Sequence, residues 1–264
     1  MVKKILTIST WVLSCLSIIA LFAFARNEYL RAPVKNLRLV IDRPANGGFL
    51  EYKKTYSLIM KMTDSILGKS VEKLSLFTLK NKLSANPYIS HVELFTSMDG
   101  VLNVYLNERE ALVRVFDSTS QSAYIDTHGM LFPLNPDFSA RVMVASGCFA
   151  YPELMPNATA KVSSKIYAGT KLNEIFKLAE NLSKDDFLRV FVAQMYVDSL
   201  GEFELTPRLS NTNIVIGNVE DLDMKLTNLK VFFMNKAVKP ELYNYKTISL
   251  KYKNQIVCIK RQVI

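Results

Sequence analysis

Glycine is scarce in this chain, at 9 of 264 residues, histidine is scarcer at 2, and cysteine is limited to 3. Each shortage removes a class of chemistry. No glycine loop of the kind that cradles phosphates is present, and neither HExxH nor EF-hand spacing occurs. His91 falls in a β-like run and His128 in the turn Thr127-His128-Gly129. Neither has a G-x-S-x-G or comparable nucleophile setting, so both read as structural. Asp126 beside His128 suggests a catalytic or metal pair, yet Asp and His before Gly is also what a tight turn selects. Asp185-Asp186 follows a helix-like run and reads as a solvated loop. Cys15 lies in an apolar run, while Cys148 and Cys258 are isolated and lack the spacing of a zinc site. A Cys148–Cys258 disulfide is geometrically possible, but nothing local demands it, and the pairing stays open. The expectation is a protein that is not an enzyme, with no catalytic, cofactor or metal residues and no small-molecule substrate.

Charge is also uneven. Lys and Arg number 33 against 24 Asp and Glu, a net charge of +9, which suits nucleic acid or an anionic surface in principle. However, no block of five or more Lys/Arg occurs, and the aromatic-basic interleaving of a single-strand binder is missing. The basicity is diffuse, and no nucleic-acid partner is expected.

What the chain does have is apolar content, 49% of residues, enough for one good core or two modest ones. Two are expected. After Lys3-Lys4, Ile5–Ala25 is an uncharged run of 21 residues, which as a helix extends roughly 30 Å, the thickness of the hydrocarbon core. Two other readings compete. A cleaved signal would use Ala23-Phe24-Ala25, but its apolar region is normally ~7–15 residues, and a lipoprotein box at Val12-Leu13-Ser14 before Cys15 fits poorly. The reading is therefore a short cytoplasmic tail at 1–4, a transmembrane signal anchor at 5–25 and a linker at 26–36. Arg26, Arg31 and Lys35 rival Lys3 and Lys4 in the positive-inside count. The N-in orientation thus rests on the size of the chain beyond the anchor, which is most simply a translocated domain.

Leu37–Ile41 reads as a strand and Gly47-Gly48 as a loop. Tyr52, Tyr56, Ile59, Met60, Thr63 and Ile66 recur at helical spacing, predicting a helix with that face inward, closed by Gly68. Ser75 is placed to cap a second helix carrying Leu76, Leu79 and Leu83, which Pro87 ends. Two β-like runs then flank Asp99-Gly100, a strong hairpin signal. The order up to Leu106 is β-α-α-β-β, with the polar step Asn107–Glu110 as the joint to a strand-rich second module.

These motifs, taken together, carry a resemblance. A signal anchor, then β-α-α-β-β with a Leu-patterned helix running into Asn86-Pro87-Tyr88-Ile89-x-x-Val92, resembles the POTRA domain of the FtsQ/DivIB family of bacterial cell-division proteins. Asn107-Glu108-Arg109-Glu110-Ala111 is similar to that family's "ERxPxA" joint, with Leu112 following and no proline. Tyr124-Ile125-Asp126-Thr127-His128-Gly129-Met130-Leu131-Phe132-Pro133-Leu134 is similar to its "(V/I)D-x-x-G-x-x-(F/M)-P-L" hairpin.

Past the joint, Ala111–Phe116, Ser122–Asp126 and Ala140–Ala145 read as strands, and 148–169 as a long connection. Leu172, Ile175, Phe176, Ala179 and Leu182 predict an amphipathic helix. Arg189–Val197, Glu202–Thr206 and Asn213–Ile216 are β-like, and Leu222, Leu226, Leu229, Phe232 and Phe233 predict another helix. The fold class is α+β: an apolar N-terminal helix, a POTRA-like domain at 37–108, and a larger, mostly antiparallel β domain with two helices at 109–264.

In the last runs, Ile248, Leu250 and Tyr252 alternate with Tyr245, Thr247, Ser249 and Lys251. Lys253-Asn254 turns the chain into Gln255–Lys260, and a last strand is often an open edge. The resemblance implies that this region adds a strand from the small coiled-coil divisome protein FtsB, paired with FtsL. The expected partner-binding residues are Ile248, Leu250, Tyr252, Asn254 and Lys260, the last standing where the family has an aromatic. Charge or proline at Leu250 or Tyr252 is expected to abolish capture while leaving the fold intact. The function expected is a septal scaffold in the cytoplasmic (inner) membrane, with its bulk outside the cytoplasm, linking early and late division proteins. The alternatives are a POTRA-type transport component, which would normally carry serial modules and a barrel, or an enzyme secreted after signal cleavage.

Overall fold

The structure, a computed structural model, describes residues 2–31, 33–62, 68–70, 75–234, 244–253 and 255–261. It opens with α1 (Val2–Arg31). Within it, Ile8–Tyr29 is long and apolar enough to cross a membrane, and none of that stretch is buried against the rest of the chain. A soluble core helix would bury one face; this one leaves Trp11, Leu13, Phe22 and Phe24 exposed.

The chain divides into two compact units. The first holds α1, β1 (Asn36–Asp42), α2 (Tyr52–Met62), α3 (Leu76–Ser84), β2 (Ile89–Thr96) and β3 up to Asn107 (β3 runs Val101–Glu108). Its sheet order is β1-β3-β2, with β1 and β3 parallel and Leu39 opposite Val104. The β2–β3 turn closes through Gly100 N donating to Ser97 O at 3.0 Å. Gly100 takes φ +82, and a Cβ there would meet Pro33 O at 2.8 Å, so both backbone conformation and space call for glycine. Ser75 caps α3, accepting from Thr78 N at 3.3 Å. Leu79 and Leu83 are the buried residues of that helix, each worth about 1.5–3 kcal/mol of transfer free energy. The inward face of α2 differs from the expectation. Thr55 and Ile59 are buried while Tyr52 and Tyr56 stack on each other, with Tyr52 exposed. Thr63 and Ile66 lie outside the described residues.

The second unit comprises Arg43–Phe49, Asn86–Tyr88 and Glu108–Ile264. Among the described residues its ten strands are β4 (Ala111–Phe116), β5 (Ser122–Asp126), β6 (Met130–Pro133), β7 (Met143–Gly147), β8 (Ala160–Lys161), β9 (Val192–Val197), β10 (Phe203–Pro207), β11 (Asn213–Gly217), β12 (Tyr245–Ser249) and β13 (Val257–Lys260). They form one sheet in the order β13-β12-β11-β10-β9-β7-β4-β5-β6-β8. Pairing is mostly antiparallel, with β4–β7, β7–β9 and β11–β12 parallel.

Alternation along the strands splits their side chains between two cores. Val113, Val115, Ala123, Ile125 and Leu131 enter a large core covered by α4 (Leu172–Lys184) and α6 (Leu222–Met234). The intervening Tyr124 and Phe132, together with Ala111 beyond the register shift before Val113, enter a small aromatic one with Phe49 and Ala140. Tyr88 and Phe138 flank it, with Phe49 stacked on Tyr88 at 5.5 Å and edge-on to Phe138 at 4.9 Å. Phe49 and Tyr88 precede the joint in sequence, yet their partners are all in the second unit.

The stretch 189–191 is helical rather than β. Asp185, expected as part of a solvated loop, is the N-cap of α5 (Asp186–Phe191), accepting from Phe187 N at 2.9 Å and Leu188 N at 3.0 Å. Its second carboxylate oxygen lies 2.6 Å from Lys230 Nζ on α6. Those three donors outweigh the β-leaning Val190-Phe191 at the end of the helix, so the chain turns helically before β9 begins. The strand expected at Ala140–Ala145 starts later, at Met143.

Candidate functional site

Glu108 and Arg109 of the joint and the Asp126 hairpin all lie in the second unit. Glu108, buried, accepts from Gly48 N and from Phe49 N (2.7 Å), and its Oε2 lies 3.4 Å from Arg43 Nε. Arg109 Nη1 pairs with Asp126 Oδ2, and its Nε donates to Pro87 O at 2.8 Å. Asp126 Oδ1 accepts from His128 N and Met130 N, both at 2.8 Å, which folds the β5–β6 turn over Gly129 (φ +74). Both carboxylate oxygens of Asp126 are thus committed to structure. His128 is exposed, with Nδ1 3.3 Å from Thr127 Oγ1, so the Asp-Thr-His triplet builds a turn. Cys15, Cys148 and Cys258 are free thiols. Among the described residues no cluster of three or more metal-ligating side chains occurs.

The terminal hairpin is arranged differently from a simple last pair. Strand β11 reaches β12 through the α6 crossover, and the two run parallel, Ile214 opposite Ile248, as a helical connection permits. Strand β13 then pairs antiparallel to β12, with Ile248 opposite Cys258 and Ser249 opposite Val257. Thus β12 is interior and β13 is the end of the sheet among the described residues.

Of the expected partner-binding residues, Ile248 is fully buried and Leu250 is 3% exposed, its N–H donating to Val215 O at 2.8 Å. Both belong to the large core. The alternation therefore has its apolar face inward, and it stops at Ser249, so Tyr252 is not in register with them. Tyr252 sits in the bend beyond, 53% exposed. Lys260 ends β13 opposite Tyr245 and is exposed. Asn254 lies outside the described residues. Neighbouring Lys251 pairs with Glu202, whose carboxylate holds the ammonium above the usual lysine range.

The residues that sequence alone did not single out are Val257 and Ile259, 40% and 56% exposed on the outer strand. Cys258 between them turns toward the core, and burial pushes its thiol up, keeping it a neutral apolar filler. The Val-Cys-Ile alternation was visible, but which of its two faces is open is decided only by pairing with β12. Strand β13 has no proline and presents Val257 and Ile259 outward; what protection it carries is confined to its end, where Lys260 stands opposite the register shift between Tyr245 and Thr247 of β12.

No curated protein matches the chain. The family described as "FtsQ/DivIB, C-terminal related" matches residues 110–259. That span runs from the joint through the edge strand, and the chain accordingly belongs to the FtsQ/DivIB family of cell-division proteins.

Proposed function

We propose that the chain is a non-enzymatic, single-pass membrane scaffold of the division septum. In this reading α1 is its anchor, the N-terminus is inside, the β-α-α-β-β module is POTRA-like, and the bulk lies beyond the cytoplasmic membrane. Confinement to two dimensions raises the effective concentration of other anchored partners. The partner is an FtsB-type chain, carried with FtsL, that adds a strand to the sheet. The observation that carries the reading is the outer strand β13, whose Val257 and Ile259 face solvent at the end of a ten-stranded sheet. An incoming strand gains main-chain hydrogen bonds along that edge and apolar cover at two alternate positions. Tyr252 and Lys260 flank it and contribute at the rim. The test is co-purification of the full-length chain, in detergent, with its FtsB-type partner. Ile259→Lys with Val257→Lys is expected to lower capture at least tenfold with unchanged far-UV circular dichroism; capture at wild-type level by the folded variant would overturn the proposed edge.

A further inference from the structure

A second site lies away from the terminal edge, in a cleft of about 420 Å³ within the second unit. Three arginines from separate elements line it: Arg141 ahead of β7, Arg189 on α5, and Arg208 just after β10. Arg189 is partnered, its Nη2 lying 3.0 Å from Asp186 Oδ1. Arg141 and Arg208 make no ion pair or side-chain hydrogen bond among the described residues. Two unpaired guanidiniums brought to one concave surface repel each other, and that cost is relieved by an anion. Arginine rather than lysine suits the task, since its planar fork grips a carboxylate through two parallel bonds.

The remainder of the lining narrows the ligand class. Asn46 donates from Nδ2 to Ala111 O at 2.9 Å, which ties its loop to the start of β4 beside the cleft. Glu110 stands on the same wall, and Leu112, Met143 and Ala179 supply an apolar floor. A bare phosphate would pair with the guanidiniums and leave the apolar floor uncovered. A peptide brings carboxylates and apolar side chains together.

We infer that this cleft binds an acidic peptide segment of a partner protein, with carboxylates on Arg141 and Arg208 and an apolar side chain on the Leu112, Met143 and Ala179 floor. The site shares no residue with β13 and does not depend on it.

The test uses the full-length chain in detergent on an array of hexapeptides. Each carries two glutamates, spaced zero to three residues apart, in an otherwise apolar sequence, with a matching lysine array as control. A subset of the acidic peptides is expected to retain the protein, and retention should fall as salt rises. Arg141→Ala with Arg208→Ala should weaken it at least tenfold, while V257K/I259K leaves it unchanged. Arg141→Lys with Arg208→Lys, which keeps the charge but removes the fork, should fall between. Thermal melting of each variant within a few degrees of wild type confirms the fold, since both arginines are exposed. Three results would overturn the inference: no acidic peptide retained above the lysine array, retention unaltered in R141A/R208A, or displacement of bound peptide by millimolar inorganic phosphate or by vesicles of phosphatidylglycerol as readily as by free peptide.

Discussion

Arg109 and Asp126 form the charge pair on which the start of the second unit turns. Arg109 is 8% exposed and Asp126 1%, so removing one partner leaves a charge in a medium that solvates it poorly. Asp126→Ala also frees the two N–H groups that the carboxylate holds at the β5–β6 turn. The expected cost is about 3–5 kcal/mol, read as a shift in the urea midpoint of the second unit; a loss below about 1 kcal/mol would show that the pair is dispensable. Asp185 offers a pH-dependent counterpart. The Lys230 ammonium beside it, with the Leu188 N–H next in weight, lowers its carboxyl below the ordinary value of 3.8. A group whose folded pKa is depressed stabilises above its unfolded pKa and loses that contribution as pH falls through the folded one. Asp185→Asn keeps an oxygen for the α5 cap but discards the charge. It is expected to melt below wild type at pH 7, with the gap closing as pH drops below about 4. A gap independent of pH would assign the effect to the cap alone.

At the scale of elements, β12 and β13 differ in what they can be asked to do. β12 is paired on both sides, by β11 and by β13, and its Ile248 lies in the core with Leu250 just beyond it. Leu250→Glu therefore places a charge among apolar side chains and is expected to cost more than about 3 kcal/mol. Hydrogen exchange along β12 and β13 should accelerate together. Protection left at wild-type level would mean that residue 250 can turn outward. Lys substitution at Val257 and Ile259 should leave that protection in place, because these side chains already face water. α5 illustrates how little propensity decides in a six-residue element: its capping aspartate and its place before β9 count for more than its β-branched content.

The whole molecule is an apolar helix and two compact units on one chain. Its helix leaves large side chains exposed along Ile8–Tyr29, a surface that water does not tolerate as an isolated patch and a bilayer does. The full-length chain is accordingly expected in the membrane fraction, resistant to alkaline carbonate and retaining its own N-terminal residues on mass spectrometry. Recovery as a soluble chain starting after Ala25 would instead identify a cleaved signal. The second unit also borrows Arg43–Phe49 and Asn86–Tyr88 from sequence that precedes the joint. Its aromatic core is completed only when those loops are in place.

By itself the sequence determined whatever depends on near neighbours: the apolar length of α1, the Ser75 cap, the Gly100 turn, the stripes of α4 and α6, and the motif residues Glu108, Arg109 and Asp126. Those signals are local because helix capping, turn dihedrals and side-chain periodicity act over a few residues. Only the tertiary structure decided that Phe49 and Tyr88 belong to the second core, that Ile248 and Leu250 point inward while Val257 and Ile259 point out, and that Arg141 and Arg208 share a cleft. Each of those is a long-range outcome. Strand pairing and loop closure choose which face is buried and which distant charges meet, and a period of two reads the same whichever face the core takes.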